Sequence, residues 1–167
     1  AETFFSKHSG YNFIVSRAVF EHLYNPILAL SLMIESSAQG GVLIHKVDLR
    51  DHGLFSINFH ELKFLQPSKF IYKQMTKGSG RPNRVLLNQY VSFLEKSNLK
   101  FKIFITRLVG VGEIVPPMPW EKINKIEKGI AIDAVRSFRQ YMSSEFSNVL
   151  DEDLAVSGFF MVVEKME

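Results

Sequence analysis

The sequence contains no cysteine among its 167 residues. Disulfide bonds, thiolate zinc sites and a cysteine nucleophile are therefore excluded for this chain. Long apolar runs are also absent: the segment from Ile27 to Ile34 is interrupted by Ser31 and is far shorter than the roughly 20 residues that cross a bilayer. We therefore expect no transmembrane segment, and an intracellular protein, soluble or peripheral, that is cytoplasmic rather than secreted.

Internal repeats, low-complexity tracts and linker-like stretches are absent as well. Hydrophobic residues make up 46% of the chain and charged residues 22%, which is typical of a globular protein rather than a disordered one. The chain is also long enough to bury a substantial core. These features predict one globular domain over residues 1–167.

Acidic residues are nearly missing from one segment of the chain. Between Leu62 and Val111 there are ten Lys or Arg residues and a single acid, Glu95, whereas both flanks carry more acidic than basic residues. A concentrated field of one sign attracts partners of opposite charge. The net charge of +3 therefore conceals a polarised chain, whose pattern favours nucleic acid first, and an anionic membrane surface or an acidic protein face second.

Two apolar stretches near the start of the chain are interpreted as helices. They cover residues 15–24 and 26–36, and short apolar runs of this kind are equally typical of buried strands. Asn25 and Pro26 between them form a helix cap followed by proline at the first helical position.

The segments Val42–Arg50 and Leu54–Leu65 flank Asp51-His52-Gly53. A three-residue loop that ends in glycine between two apolar runs predicts a β-hairpin. Pairing Arg50 with Leu54 separates apolar from polar side chains near the turn, and a slip of one residue would mix the two faces.

Periodicity and turn residues predict a loop at 66–83, a helix at 84–96, a strand at 99–108, a loop after Gly110, a main helix at about 131–149 and a strand at 158–164. The predicted fold class is α+β: a small, mostly antiparallel sheet with helices packed on one side. Its strands are expected near 42–50, 54–65, 99–108 and 158–164.

The basic segment supplies the candidate binding site. Lysine and arginine side chains neutralise phosphates, and an exposed aromatic ring offers a base a stacking platform. The predicted nucleic-acid-binding residues come from the loop, the following helix and one strand face: Lys69, Tyr72, Lys73, Lys77, Arg81, Arg84, Lys100, Lys102 and Phe104.

Asp48, Glu61 and Lys63 resemble the core of the metal-dependent PD-(D/E)xK nucleases. The resemblance implies that the two carboxylates hold Mg²⁺ and that the lysine steadies the attacking water. Val47 stands where that pattern has proline, and the hairpin register separates the two carboxylates by roughly 16 Å at about 3.3 Å per residue. A nuclease is the only enzyme hypothesis that we keep, as an alternative.

Other motifs predict no chemistry. The five histidines show no zinc-ligand spacing, and His45 is expected to be a hydrogen-bonded core residue. Gly110 and Gly112 lack the third glycine of a dinucleotide fingerprint, and Pro116 with Pro117 excludes the helix that would follow. We therefore expect no cofactor and no metal site.

The sequence thus favours a non-enzymatic protein that binds nucleic acid by neutralising phosphates, with little sequence specificity. A second hypothesis is a structural protein, such as a viral coat or matrix protein or a subunit of a large complex. In that case the basic segment of one copy would dock on the acidic flanks of another, which predicts a homo-oligomer.

Overall fold

The computed structural model describes residues 2–53, 60–78, 82–97 and 99–166, apart from the side chain of Glu2. In these ranges there are five strands: β1 Tyr11–Arg17, β2 Ser37–Asp48, β3 Lys100–Leu108, β4 Gly112–Met118 and β5 Val156–Glu164. The α-helices of the same ranges are α1 Glu2–Phe5, α2 Pro26–Ser36, α3 Lys69–Thr76, α4 Leu87–Lys96, α5 Lys125–Arg139 and α6 Asp151–Ala155. None of the described helices is long and apolar enough to cross a lipid bilayer.

The strands form one sheet in the order β1-β2-β5-β3-β4. β1 runs parallel to β2, while the other three pairings are antiparallel. The predicted α+β class is confirmed, and the sheet is mixed because of the parallel pair. α2 connects β1 to β2, since parallel neighbours need a crossover rather than a tight turn.

α2 begins where its sequence predicts. The Oδ1 atom of Asn25 accepts a hydrogen bond from the backbone N–H of Leu28 at 3.1 Å, and Pro26 occupies the first turn, where its missing N–H is not needed. The helix over residues 26–36 is therefore confirmed.

One face of the sheet is buried under the helices, and the other face is half-exposed. Alternate residues of β5, namely Phe159, Met161 and Val163, are inaccessible to solvent. The ring of Tyr90 from α4 packs edge-on against Phe159 at 5.4 Å and lies 6.1 Å from the ring of Phe20. The core therefore centres on β5, the last strand in chain order.

The predicted hairpin after β2 is wrong. β2 has β1 on one side and β5 on the other, so neither of its edges is left for residues 54–65. Residues 54–59 lie outside the described ranges, and Lys63–Leu65 form a 3-10 helix. Alternation identified β2 as a strand but did not identify its partner, which lies more than a hundred residues away.

Several other elements differ from the prediction. Residues 15–24 are not a helix: β1 ends at Arg17, and a 3-10 helix covers Phe20–His22. The predicted loop at 66–83 contains α3, and the proline-rich loop after Gly110 contains the edge strand β4, where proline is tolerated because one side needs no ladder bond.

Candidate functional site

The carboxyl ends of β1 and β2 meet at one edge of the sheet because the two strands are parallel. Ligands of open sheets with parallel strands bind in the crevice outside such ends. The residues that follow are 18–23 after β1 and 49–53 after β2. This edge is therefore the first place to search for a functional site.

The turn after β1 is conformationally strained. Ala18 has a φ of 53°, a left-handed conformation that residues with a Cβ rarely adopt. Its backbone N–H donates to the carbonyl oxygen of Lys46 at 3.0 Å, which fixes the turn against β2. Strained residues of this kind cluster at functional sites, where surrounding contacts hold them in place.

Glu21 follows this turn and is buried, with 1% of its surface exposed. Neither carboxylate oxygen has a hydrogen-bond partner among the described residues. Burial raises the pKa of Glu21, and the Asp48 carboxylate raises it further, whereas His22 and His52 act in the opposite direction. Glu21 therefore holds a proton more readily than an ordinary glutamate.

The pKa of Asp48, at the end of β2, is shifted in the opposite direction. Burial alone would raise its pKa, but hydrogen bonds from Arg50 and the nearby His52 outweigh burial and hold the pKa well below its usual range. The Nε atom of Arg50 donates to Oδ1 of Asp48 at 2.8 Å, and Nη2 donates to Oδ2 at 2.5 Å. Asp48 in turn raises the pKa of His52, whose Nε2 lies 3.7 Å from Oδ1.

His22 connects the residues that follow β1 with those that follow β2. Its ring packs edge-on against that of His52 with centroids 5.2 Å apart. Asn83 secures the loop that carries His22, because its Nδ2 donates to the carbonyl oxygens of Phe20 at 2.7 Å and of Leu23 at 3.0 Å. The edge thus holds two carboxyl groups with opposite pKa shifts and two histidines.

A cavity of about 680 Å³ opens beside this cluster, and His22 and Asn83 belong to its lining. The remaining lining comes from Leu23 and Tyr24, from α3, from residues 82–89 and from residues 145–149. A volume in the range of roughly 300–1,000 Å³ accommodates a small organic ligand.

The charge of Glu21 has a consequence for stability that does not depend on any activity. Because burial raises its pKa in the native state, the native protein is most favoured where Glu21 is protonated, and this advantage is lost as the pH rises. Glu21→Gln is therefore expected to raise the free energy of unfolding at neutral pH by about 0.5–2 kcal/mol. Urea denaturation measures the change.

The same variant should gain little at a pH below the ordinary glutamate range, where Glu21 carries no charge in either state. Glu95→Gln, at an exposed position of α4, is the matched control and should change stability at neither pH. A gain for Glu21→Gln that is equally large at both pH values would contradict the assignment of a buried charge.

The predicted nucleic-acid-binding residues differ in their surroundings. Lys69 and Lys73 line the cavity, Lys77 and Lys102 are exposed and outside its lining, and Arg81 lies outside the described residues. Tyr72 is buried and donates its hydroxyl to the carbonyl oxygen of Pro82 at 2.7 Å, so its ring is not a stacking platform.

The other members of that set are engaged within the chain. Arg84 donates to Glu145 at 2.7 Å, and Lys100 pairs with Glu164 at 2.8 Å. Phe104 is half-buried in the sheet opposite Phe160. Acids of the C-terminal flank therefore neutralise part of the basic segment inside a single chain.

Asp48 and Glu61, the two carboxylates of the nuclease resemblance, each bind an arginine rather than sharing one site. Arg50 binds Asp48, while Nε of Arg107 donates to Oε1 of Glu61 at 2.9 Å. Within the described ranges, no three metal-ligating side chains come together. His45, by contrast, is confirmed as a buried core histidine: a hydrogen bond of 2.8 Å joins its Nδ1 to the Ser16 hydroxyl, and burial lowers its pKa to about 4.

No known family matches the sequence, and no curated relative matches it. Solved structures do resemble the fold. A SAM-dependent methyltransferase from Archaeoglobus fulgidus gives a TM-score of 0.47 at 10% identity, over 98% of this chain and 64% of that one. Haemonchus contortus phosphoethanolamine N-methyltransferase 2, in complex with S-adenosyl-L-methionine, gives 0.43 at 11% identity, over 93% and 33%.

The plantazolicin methyltransferase BamL is a further similar structure, with a TM-score of 0.44 at 13% identity, over 99% of this chain and 57% of that one. The chain thus spans between one third and two thirds of the length of these proteins. At these TM-scores the likeness does not assign a substrate or a cofactor to this chain.

All three similar structures are described as methyltransferases, whereas the sequence predicted a non-enzymatic protein. We do not retain the hypotheses of a nucleic-acid-binding protein, a coat or matrix protein, or a nuclease. The ion pairs Arg84–Glu145 and Lys100–Glu164 engage two of the predicted binding residues within the chain.

Glu21 and His22 were missed in the sequence because residues 15–24 were interpreted as one helix. The sequence pattern that would have identified them is a strand, a capped helix and a second strand, in which acidic and histidine residues follow each strand. Such a pattern predicts a site at the carboxyl ends of two parallel strands. At the end of β2, the sequence analysis assigned Asp48 to a nuclease metal site and His52 to a hairpin turn.

Proposed function

We propose that the chain contributes the acceptor-substrate side of an enzyme active site at the carboxyl edge of β1 and β2, with methyl transfer as the reaction. One observation carries the proposal: two carboxyl groups at this edge, Glu21 and Asp48, have pKa values shifted in opposite directions, beside two histidines and a cavity. Environments that push apart the pKa values of neighbouring groups mark the acid and base roles of active sites.

His22 is the group that meets the substrate, because it lines the cavity and is exposed. As a general base, its imidazole takes a proton from an acceptor hydroxyl or ammonium group, which frees a lone pair on that oxygen or nitrogen. Glu21 adjoins His22 in the chain and adds a buried carboxyl group to the same cluster.

Asp48 and Arg50 maintain the second half of the cluster. Their paired hydrogen bonds keep Asp48 ionised, and Asp48 keeps His52 charged over a wider pH range. The ring of His52 packs against that of His22, so this half of the cluster contacts the residue that lines the cavity.

The cavity does not fit the methyl donor of the similar enzymes. S-adenosylmethionine carries a sulfonium cation, whereas Lys69, Lys73 and Arg84 among the lining residues outnumber Glu145. Like charges would oppose its binding there. The cavity therefore suits the acceptor, and no step through the donor is derived from these residues.

His22→Asn is expected to lower kcat by roughly 10²–10⁴-fold, because it removes the proton acceptor and leaves an exposed position that folds normally. The measurement is transfer of a labelled methyl group from S-adenosylmethionine to a panel of small acceptors with hydroxyl, amine or thiol groups.

His8→Asn is the matched control, because His8 is also exposed but lies near the N-terminus, outside the cavity lining. Its activity should equal that of the wild type. Full activity of His22→Asn, or no methyl transfer by the wild-type protein to any acceptor, would overturn the proposal.

Association of copies through the acidic and basic faces stays a prediction. The ion pairs within the chain leave fewer charges for such contacts. A sedimentation coefficient that rises with protein concentration is the expected observation.

A further inference from the structure

The cavity beside the cluster carries an unbalanced positive charge. Lys69 and Lys73 lie one turn apart on α3 and both line the cavity. Residues four apart on a helix project from the same face. Neither ammonium group forms an ion pair with a described residue, so both remain available to a ligand.

Arg84 is a third basic residue in the cavity lining. Its guanidinium group lies 4.5 Å from the ring centroid of Tyr72 and 4.8 Å from that of Phe146, so it is held between two aromatic rings. Nη1 donates to Glu145 at 2.7 Å, and Nη2 donates to the carbonyl oxygen of Pro67 at 2.5 Å. The Nε atom is buried without a hydrogen-bond partner among the described residues, which leaves a donor to be satisfied.

The rest of the wall is apolar or aromatic. Leu23, Val85 and Val149 line the cavity, and Tyr24 stands at its edge with 88% of its surface exposed. An apolar wall with a few convergent polar groups is typical of sites for small organic ligands. The ligand that matches both parts has an apolar or aromatic body and an acidic head.

We propose that this cavity binds an organic anion, with Lys69 and Lys73 holding its carboxylate or phosphate group and the apolar wall holding its body. Calling this anion the acceptor substrate rests on the proposed function, because His22 lines the same cavity. The binding itself does not depend on that function.

Three probes of one shape test the proposal by isothermal titration at low ionic strength: naphthoate, naphthyl phosphate and the neutral naphthalenemethanol. At least one anion is expected to bind about tenfold more tightly than the neutral probe, a difference of about 1.4 kcal/mol. The better anion distinguishes a carboxylate from a phosphate ligand. Added salt should reduce the preference, because screening weakens exposed charge pairs.

Lys69→Gln combined with Lys73→Gln is expected to abolish the preference for anions while naphthalenemethanol binds as before. The matched control combines Lys122→Gln with Lys125→Gln, which removes the same charge outside the cavity lining and should keep the preference. Equal affinity of all probes for the wild type, or an equal loss in both double variants, would overturn the proposal.

Two measurements on the same wild-type protein, the anion preference and methyl transfer, separate this proposal from the proposed function. If the anion preference persists in a protein that transfers no methyl group, the proposed function fails and the binding site stands. If methyl transfer proceeds without an anion preference, the binding site fails instead.

Discussion

Phe159→Ala is expected to lower the free energy of unfolding by about 3–5 kcal/mol. Phe159 is inaccessible to solvent in the central strand β5, where its pairing partners are Val47 on β2 and Ile105 on β3. The ring of Tyr90 packs against it from α4 at 5.4 Å. Removing the phenyl ring therefore leaves a cavity where the sheet and the helices meet.

Chemical denaturation measures this loss, and an unchanged denaturant slope would show that the native fold is retained. Phe13→Ala is the control, because 59% of Phe13 is exposed on the edge strand β1 and the variant should change stability by less than about 0.5 kcal/mol. If Phe159→Ala does not fold, Phe159→Leu should, at a cost of roughly 1.5 kcal/mol. Equal effects at Phe159 and Phe13 would contradict a core centred on β5.

Arg139→Ala is expected to cost about 1.5–3 kcal/mol, because a single guanidinium group secures the chain between α5 and α6. Nε donates to Oδ1 of Asp151 at 2.9 Å, and Nη2 donates to the carbonyl oxygen of Val149 at 2.7 Å. Nη1 reaches the carbonyl oxygens of Phe146 and Ser147, each at 3.3 Å. Thermal and urea denaturation both measure the loss.

Arg136→Ala is the matched control, because Arg136 also donates to Asp151 but its side chain is 65% exposed, so its loss should cost less than about 1 kcal/mol. Arg139→Lys should recover little, since an ammonium group cannot reproduce the planar donor set. The hydrogen bond from Arg139 lowers the pKa of Asp151. The difference between wild type and Arg139→Ala should therefore shrink as the pH falls through the carboxyl range, and a difference that grows in acid would be inconsistent with this contact.

The fold was predictable from sequence where a local signal agrees with the final contacts. Asn25 and Pro26 determine the start of α2, the alternation at 99–108 corresponds to β3, and the apolar run at 158–164 corresponds to β5. The pairing of β2 was not predictable, because its partner is chosen by burial against a distant strand and not by the Asp51-His52-Gly53 turn. Residues 15–17 of β1 were included in a predicted helix because an apolar run of that length has no decisive period.

The candidate site was less predictable than the fold. In the sequence, Asp48 was considered only as a nuclease metal ligand and His52 only as a turn residue. Their proposed roles depend on Glu21 and His22, which the parallel pairing of β1 and β2 brings to the same edge. Lys69 and Lys73 were predicted from the sequence to bind the phosphates of nucleic acid. In the present proposal they bind the acidic group of a small organic anion. Arg84 and Lys100 were included by charge alone, and no sequence pattern indicated that Glu145 and Glu164 would pair with them.

The central position of β5 determines when the sheet can form during synthesis of the chain. Until residues 156–164 have been synthesised, β2 has β1 as its strand neighbour, β3 has β4, and the two halves of the sheet cannot join. Both halves then present an open strand edge, which is a template for pairing with other chains. Contacts between distant parts of a chain also form slowly, since loop closure must come first. The nascent chain is therefore most in need of chaperones just before its sheet can close, and a product truncated ahead of β5 is expected to aggregate rather than to fold.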